Sequence, residues 1–152
     1  MRFNLAAAAL VIGFASAPAL AQPAPALTPD RATGLLEEYV RIWEDDARVN
    51  EATVARFYAP RVNYYGKRLS RQQVLADKLR YVSAYPRRSY AIVPGTARTT
   101  CDAARTRCTA RGRLIVGLTD ARGRTSRRTA DLRLVMTGDG GGQIIEERAS
   151  RR

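Results

Sequence analysis

The chain has 152 residues, 26 Lys and Arg against 14 Asp and Glu, a formal charge of +12 and no histidine. The missing histidine excludes Ser-His-Asp and Cys-His nucleophile pairs and every histidine-ligated metal site. Two cysteines exclude a four-cysteine zinc site or an iron–sulfur cluster, and the length predicts one domain able to bury its own core.

Residues 1–21 read as a secretory signal peptide. Met1-Arg2-Phe3-Asn4 is a short positive start, Leu5 to Ala17 is apolar apart from small residues, and Ala19-Leu20-Ala21 is a small-x-small site before Gln22. The apolar run is shorter than the roughly 20 residues that span a bilayer, and Pro18 interrupts it. Cleavage after Ala21 predicts an exported protein with no transmembrane segment after signal removal, periplasmic in a bacterium or else secreted. Residues 22–28 (QPAPALT) read as a Pro/Ala tether, 29–149 as a single domain and 150–152 as a basic tail.

Thr28-Pro29-Asp30 supplies a cap, a first-turn proline and an acid at the positive dipole end of a helix. Leu36, Val40, Trp43 and Ala47 recur along it at helical spacing, widened by Leu35, Tyr39 and Ile42, which predicts an amphipathic helix of four or five turns. Asn50 caps a second, short helix with Val54, Phe57 and Tyr58 inward, stopped at Ala59-Pro60. Arg61 to Tyr65 is a short strand ending at Gly66. Ser70-Arg71-Gln72-Gln73 is a capping box that opens a third helix with Leu75, Leu79 and Val82 on one face.

After Pro86 the period switches to two. Strands are predicted over Arg87 to Thr99 with a bend at Pro94-Gly95, Cys108 to Leu118, Thr125 to Thr137 and Gln143 to Ala149, joined by Asp- and Gly-rich turns. Cys101 and Cys108 sit seven apart, a spacing that suits a disulfide across the mouth of a β-hairpin. Helices followed by a run of strands argue for an α+β layer, helices covering one face of an antiparallel sheet.

Phe57-Tyr58-Ala59-Pro60-Arg61-Val62-Asn63-Tyr64-Tyr65-Gly66, followed by a capped helix and long strands, resembles the nuclear transport factor 2-like superfamily, which includes SnoaL-like and ketosteroid-isomerase-like proteins. Tyr64-Tyr65-Gly66-Lys67 and Pro86-Arg87-Arg88-Ser89-Tyr90 are similar to a branch of small exported bacterial proteins without an assigned reaction. The resemblance spans residues 29–149. It implies a cone, in which the N-terminal helices pack in the concave face of a curved antiparallel sheet and an open end leads to a pocket. Enzymes of that fold place Asp, His or Tyr there; this chain has no His, and the Tyr and two Asp of the ketosteroid-isomerase arrangement have no residue-by-residue match. Superfamily members often pair through the sheet, which leaves a homodimer open.

The aromatic set Tyr39, Trp43, Tyr58, Tyr64, Tyr65 and Tyr90 either lines that pocket or is plain core. Strand alternation sends Tyr64 and Tyr65 to opposite faces, and likewise Glu146 and Glu147. An inward Glu needs a partner, for which Arg88 and Arg113 are candidates. It is then either a general acid or base or a structural ion pair. Asp131 reads as a surface carboxylate. The candidate ligand-binding set is therefore Tyr39, Trp43, Tyr64, Tyr65, Arg88, Tyr90, Glu146 and Glu147, with no catalytic residue assigned. No P-loop, G-x-G-x-x-G, G-x-S-x-G or S-x-x-K motif is present, and neither a metal nor a cofactor is expected.

Of the 26 basic residues only Lys67 and Lys78 are lysines. Arginine is scattered rather than blocked, and export argues against nucleic acid. Arg105, Arg107, Arg111, Arg113, Arg122, Arg124, Arg127 and Arg128 nevertheless fall on adjacent hairpins. They form either a solvated basic face or one that meets an anionic envelope component. The expected function is binding of a small ligand or a partner in or near the pocket. The alternatives are a metal-independent isomerase, hydrolase or dehydratase using a Tyr and a carboxylate, or an anionic-surface module.

Overall fold

The computed structural model describes residues 26–139 and 141–151. The signal-peptide reading, tether residues 22–25 and Arg152 lie outside the described residues. Leu27, read as tether, is a core residue, 1 % exposed.

Helix α1 (Pro29–Ile42) begins where Thr28 Oγ1 accepts the Arg31 N–H at 3.2 Å, with Pro29 in its first turn. It ends at Ile42 rather than Ala47 because Asp45 caps a separate 3-10 turn (Asp46–Arg48), accepting the Ala47 N–H at 3.0 Å. A short acidic side chain here competes with helix continuation, and Ala47 is left exposed. Helix α2 (Glu51–Phe57) is capped by Asn50, whose Oδ1 accepts the Thr53 N–H at 3.0 Å.

Tyr58 does not close α2; it opens strand β1 (Tyr58–Tyr64). Pro60 lies inside β1, and the pairing of β1 shifts register between Tyr58 and Asn63, the irregularity that a residue lacking an N–H requires. Strand β2 (Lys67–Ser70), absent from the sequence reading, folds back through Tyr65-Gly66. These two residues have φ of +50° and +84°, the sign pattern of a type I′ hairpin, with tyrosine where asparagine is usual.

Helix α3 (Arg71–Ala84) carries the predicted capping box in full: Ser70 Oγ accepts the Gln73 N–H at 3.3 Å and Gln73 Oε1 accepts the Ser70 N–H at 2.9 Å. Its inward face differs from the prediction. Val74 is its buried residue, and Lys78, Tyr81 and Tyr85 follow on the same side at helical spacing; of the predicted face Leu75 and Val82 do pack against the core, while Leu79 is 47 % exposed.

The remaining strands are β3 (Arg87–Ile92), β4 (Arg98–Cys101), β5 (Arg107–Thr119), β6 (Thr125–Thr137) and β7 (Gln143–Arg151). The expected single strand over 87–99 is broken at Pro94-Gly95, so β3 and β4 lie end to end along β5. Arg113 bridges the break: its C=O accepts the Val93 N–H at 2.8 Å and its N–H donates to Thr96 Oγ1 at 3.1 Å. Sheet order is β2-β1-β7-β6-β5-β3, with β4 also on β5. The sheet is mixed rather than wholly antiparallel, because β7 inserts parallel to β1. These two strands are joined through the body of the fold and not by a hairpin, so antiparallel pairing is not imposed on them.

The sheet curves around the helices, with α1 on β3, β4 and β5, α3 on β1 and β2, and α2 against α3 and β1. Alternate residues Leu114, Val116 and Leu118 of β5 and Ala130, Leu132, Leu134 and Met136 of β6 face the helices and are buried. Gly142 closes the β6–β7 turn at φ +101°; a Cβ there would collide with Leu35. Cys101 and Cys108 stand opposite each other on β4 and β5, disulfide-bonded with Cα atoms 4.0 Å apart.

Candidate functional site

The concave side of the sheet and the inner faces of α1 and α3 enclose a cavity of about 400 Å³. Tyr39, Val40 and Trp43 of α1 form one wall, Asp77, Lys78, Tyr81 and Val82 of α3 another, and Leu114, Val116, Ala130, Leu132 and Ala149 of the sheet a third.

Its floor is a closed polar network around Glu147. The inward carboxylate is Glu147, 1 % exposed, on β7 directly opposite Leu134. Tyr58 donates its hydroxyl to Oε2; Tyr65 donates to Oε1 at 3.1 Å, and Lys78 Nζ donates to Oε1 at 3.3 Å. Lys78 Nζ also donates to the Tyr39 hydroxyl at 2.8 Å. Tyr58 uses its proton on Glu147 and the Tyr39 oxygen receives Lys78, so in the 2.9 Å contact between the two phenols Tyr39 donates to Tyr58. The ring of bonds Lys78–Tyr39–Tyr58–Glu147–Lys78 pairs the buried Glu147 carboxylate with the partly buried Lys78 ammonium, which low-dielectric burial demands. The ammonium also lies 4.6 Å from the Trp43 ring centroid, 5.3 Å from that of Tyr39 and 5.4 Å from that of Tyr64.

Burial first, and then the Glu147 charge, hold the Tyr39, Tyr58, Tyr64 and Tyr65 phenols well above their ordinary pKa of 10.0. Burial, then Tyr81, does the same to Tyr90. At neutral pH these phenols are donors.

Neither Arg88 nor Arg113 partners Glu147. The Arg88 side chain is buried and donates to the Trp43 C=O at 3.0 Å, the Tyr85 C=O at 2.6 Å and the Asp46 carboxylate. Trp43 and Tyr85 are the C-caps of α1 and α3. One guanidinium thus satisfies the negative ends of two helices while it lines the cavity. Arg113 pairs at 3.2 Å with Asp131 on the outer face of the sheet. Glu146 is on that outer face too, bonded to Arg133 and Arg148.

Strand alternation does not separate Tyr64 from Tyr65. The positive φ of Tyr65 takes it off the strand, so both rings border the cavity, edge to face with centroids 4.7 Å apart. Tyr64 is buried and donates to Asp77 at 3.1 Å; Tyr65 is 48 % exposed at the rim. Tyr90, Tyr81 and Arg128 complete the mouth, where Arg128 donates to the Tyr81 hydroxyl at 3.5 Å. Glu147 is paired with Lys78, Asp77 with Arg80 and Asp46 with Arg88. Arg128 has no carboxylate within ion-pair distance among the described residues.

Polar and aromatic wall residues that the sequence reading did not place at the cavity include Asp77, Lys78, Tyr81 and Arg128, while Tyr58, one of the aromatics read as either pocket or core, lies buried beneath the floor. One signal for Lys78 was present: it is one of two lysines in a chain with 26 basic residues. Among the described residues no group of three or more acidic or cysteine side chains is placed to hold a metal ion.

No protein-family model matches the chain, and a search of curated proteins finds no match. Solved structures do match in shape. A nuclear transport factor 2-like superfamily protein from Salmonella enterica serovar Typhimurium has a TM-score of 0.67 at 9% identity, over 80% of this chain and 89% of that one. An NTF2-like protein from an Exiguobacterium species has a TM-score of 0.61 at 13% identity, over 78% and 98%. Aln2 from a Streptomyces species has a TM-score of 0.61 at 12% identity, over 80% and 88%. With helices seated in a curved mixed sheet and an open cavity between them, the fold of this chain is the nuclear transport factor 2-like fold.

Proposed function

We propose that the protein binds, in the cone cavity, a small organic molecule with an aromatic or aliphatic body and one anionic group. The observation that carries this is a cavity of about 400 Å³ with aromatic and aliphatic walls and, at its mouth, a guanidinium, Arg128, without an acidic partner among the described residues. Apolar walls with a few placed polar groups are the usual make-up of a ligand pocket. Lys78 and Glu147 neutralise each other at the floor, so Arg128 sets the preferred charge of the ligand.

Trp43 is the only tryptophan and lines the cavity, which makes its fluorescence a direct reporter. Titration with 1-naphthoate is expected to quench it saturably, with neutral 1-naphthalenemethanol weaker. Arg128→Ser is expected to weaken naphthoate binding by about tenfold, the worth of a charge-assisted bond. Absence of quenching by either compound at millimolar concentration overturns the proposal.

A second reading, proton transfer, is favoured by the Tyr65 hydroxyl at 3.1 Å from Glu147 in the cavity wall. A general base needs an accessible lone pair, and Glu147 already accepts from Tyr58, Tyr65 and Lys78. Binding is the better supported of the two. Solvent-deuterium exchange into a bound enolisable ketone, abolished in Glu147→Gln, would reverse that order.

We also infer export, with cleavage after Ala21 and a mature domain over 29–149. The three-part N-terminal pattern and the Cys101–Cys108 disulfide support it. No described helix is long and apolar enough to cross a membrane. A mature N-terminus at Gln22 in the periplasmic or culture fraction is the expected finding; full-length protein retained in the cytoplasm is the contrary one.

A further inference from the structure

The outer face of the sheet carries a feature unrelated to the cone cavity. Arg98 of β4 pairs in register with Arg111 of β5, Arg111 with Arg133 of β6, and Arg133 with Arg148 of β7. Four adjacent strands therefore place arginines in one crosswise row. Strand alternation puts the row on the face away from the helices, since the neighbours Ala110, Leu132 and Leu134 face inward and are buried. Like charges directly opposite each other destabilise a sheet, and here three successive pairs are like-charged.

A groove of about 530 Å³ runs along the β5–β7 part of this row, lined by Arg111, Arg113, Arg133 and Arg148 with Asp131, Thr96 and Ser150. Two carboxylates temper it: Asp131 on Arg113, and Glu146 shared by Arg133 and Arg148. No ion pair ties Arg98 or Arg111 to a carboxylate among the described residues. The groove is left with an excess of guanidinium groups.

We propose that this groove is a second binding site, for a small soluble anion bearing two or more linked phosphates. Guanidinium forks match phosphate oxygens bidentately. The groove's arginines stand on β5, β6 and β7, and strands about 4.8 Å apart give them a span of about 10 Å, suited to a chain of two or three phosphates. None of the lining residues is aromatic, so bases have no stacking platform.

The test is calorimetric titration of the full mature chain with inorganic tripolyphosphate, at two salt concentrations. Saturable one-to-one binding is expected, weakened at least tenfold in Arg111→Ser/Arg148→Ser. Arg111→Lys/Arg148→Lys, which keeps charge but not the fork, is expected to lose part of the affinity. Arg122→Ser/Arg124→Ser, which removes the same charge from an exposed turn, is expected to bind as the unmodified protein does. Equal loss in both serine variants would reduce the effect to net charge and overturn the proposal. Citrate binding as tightly as tripolyphosphate would overturn the phosphate assignment. Binding only to phosphatidylglycerol vesicles would overturn the soluble ligand. Naphthoate quenching of Trp43 in the same variants should be unchanged, so this site can fail without the cone cavity failing, and the reverse.

Discussion

Lys78 is the residue on which the cavity floor turns. Its ammonium offers three donors; two go to Tyr39 and Glu147, while three aromatic rings surround it. Removing one member of a buried ion pair strands the other, a loss of about 3–5 kcal/mol. Lys78→Met should therefore lower unfolding stability by about 3 kcal/mol in urea denaturation at neutral pH, the two phenols still serving Glu147. Lys78→Met/Glu147→Gln should recover part of it, because no buried charge remains. A single-variant loss below about 1 kcal/mol would mean that the pair is solvated and weak. Tyr65 is the second telling residue. A non-glycine at φ +50° is strained, and what it gains is a phenol on Glu147 and a ring against Tyr64. The sequence reading placed an inward Glu on the last strand and aromatics around it. It could not see Lys78, because a lysine beside the apolar stripe Leu75–Leu79–Val82 reads as solvent-facing, whereas it turns inward next to Val82 and it is Leu79 that is exposed. A helix that overlooks a polar-floored cavity is not oriented by its leucines alone.

At the scale of the elements, the features written in local side-chain chemistry were legible. The caps at Thr28, Asn50 and Ser70, the first-turn proline and the hairpin cysteines all act over a few residues, and each stands where the sequence indicated. Ser70→Ala removes one half of the capping box and should cost about 1 kcal/mol. The Cys101–Cys108 bridge closes a short loop, so the paired Ala variant should lose about 2.5 kcal/mol in the chain-entropy picture. Both are read by thermal or chemical denaturation, and a neutral disulfide variant would show that β4 is held by its ladder alone. What depends on distant partners was not legible. The parallel β1–β7 pairing, the β2 hairpin without an Asn-Gly signal, and the break between β3 and β4 are set by where β7 and β5 come to lie.

Across the whole molecule, the cavity makes stability depend on alkaline pH. Tyr39, Tyr58, Tyr64, Tyr65 and Tyr90 keep their protons above the ordinary pKa of 10.0, chiefly through burial. The unfolded chain releases those protons near pH 10 while the folded chain retains them, so unfolding is favoured as pH rises past 10. Denaturation midpoints should fall steeply above that pH. Phenolate absorbance at pH 11 should stay well short of the seven tyrosines until the fold is lost. Full ionisation of a folded chain would contradict a closed, low-dielectric floor. The molecule thus presents two opposed surfaces, an aromatic cone in which Arg128 has no acidic partner among the described residues, and an arginine row outside. The most direct measurement on the first is a crystal structure grown with 1-naphthoate. The naphthalene ring is expected between Trp43, Tyr64 and Val116 with its carboxylate toward Arg128. A cavity filled by its own side chains, or naphthoate seated only elsewhere, would contradict it.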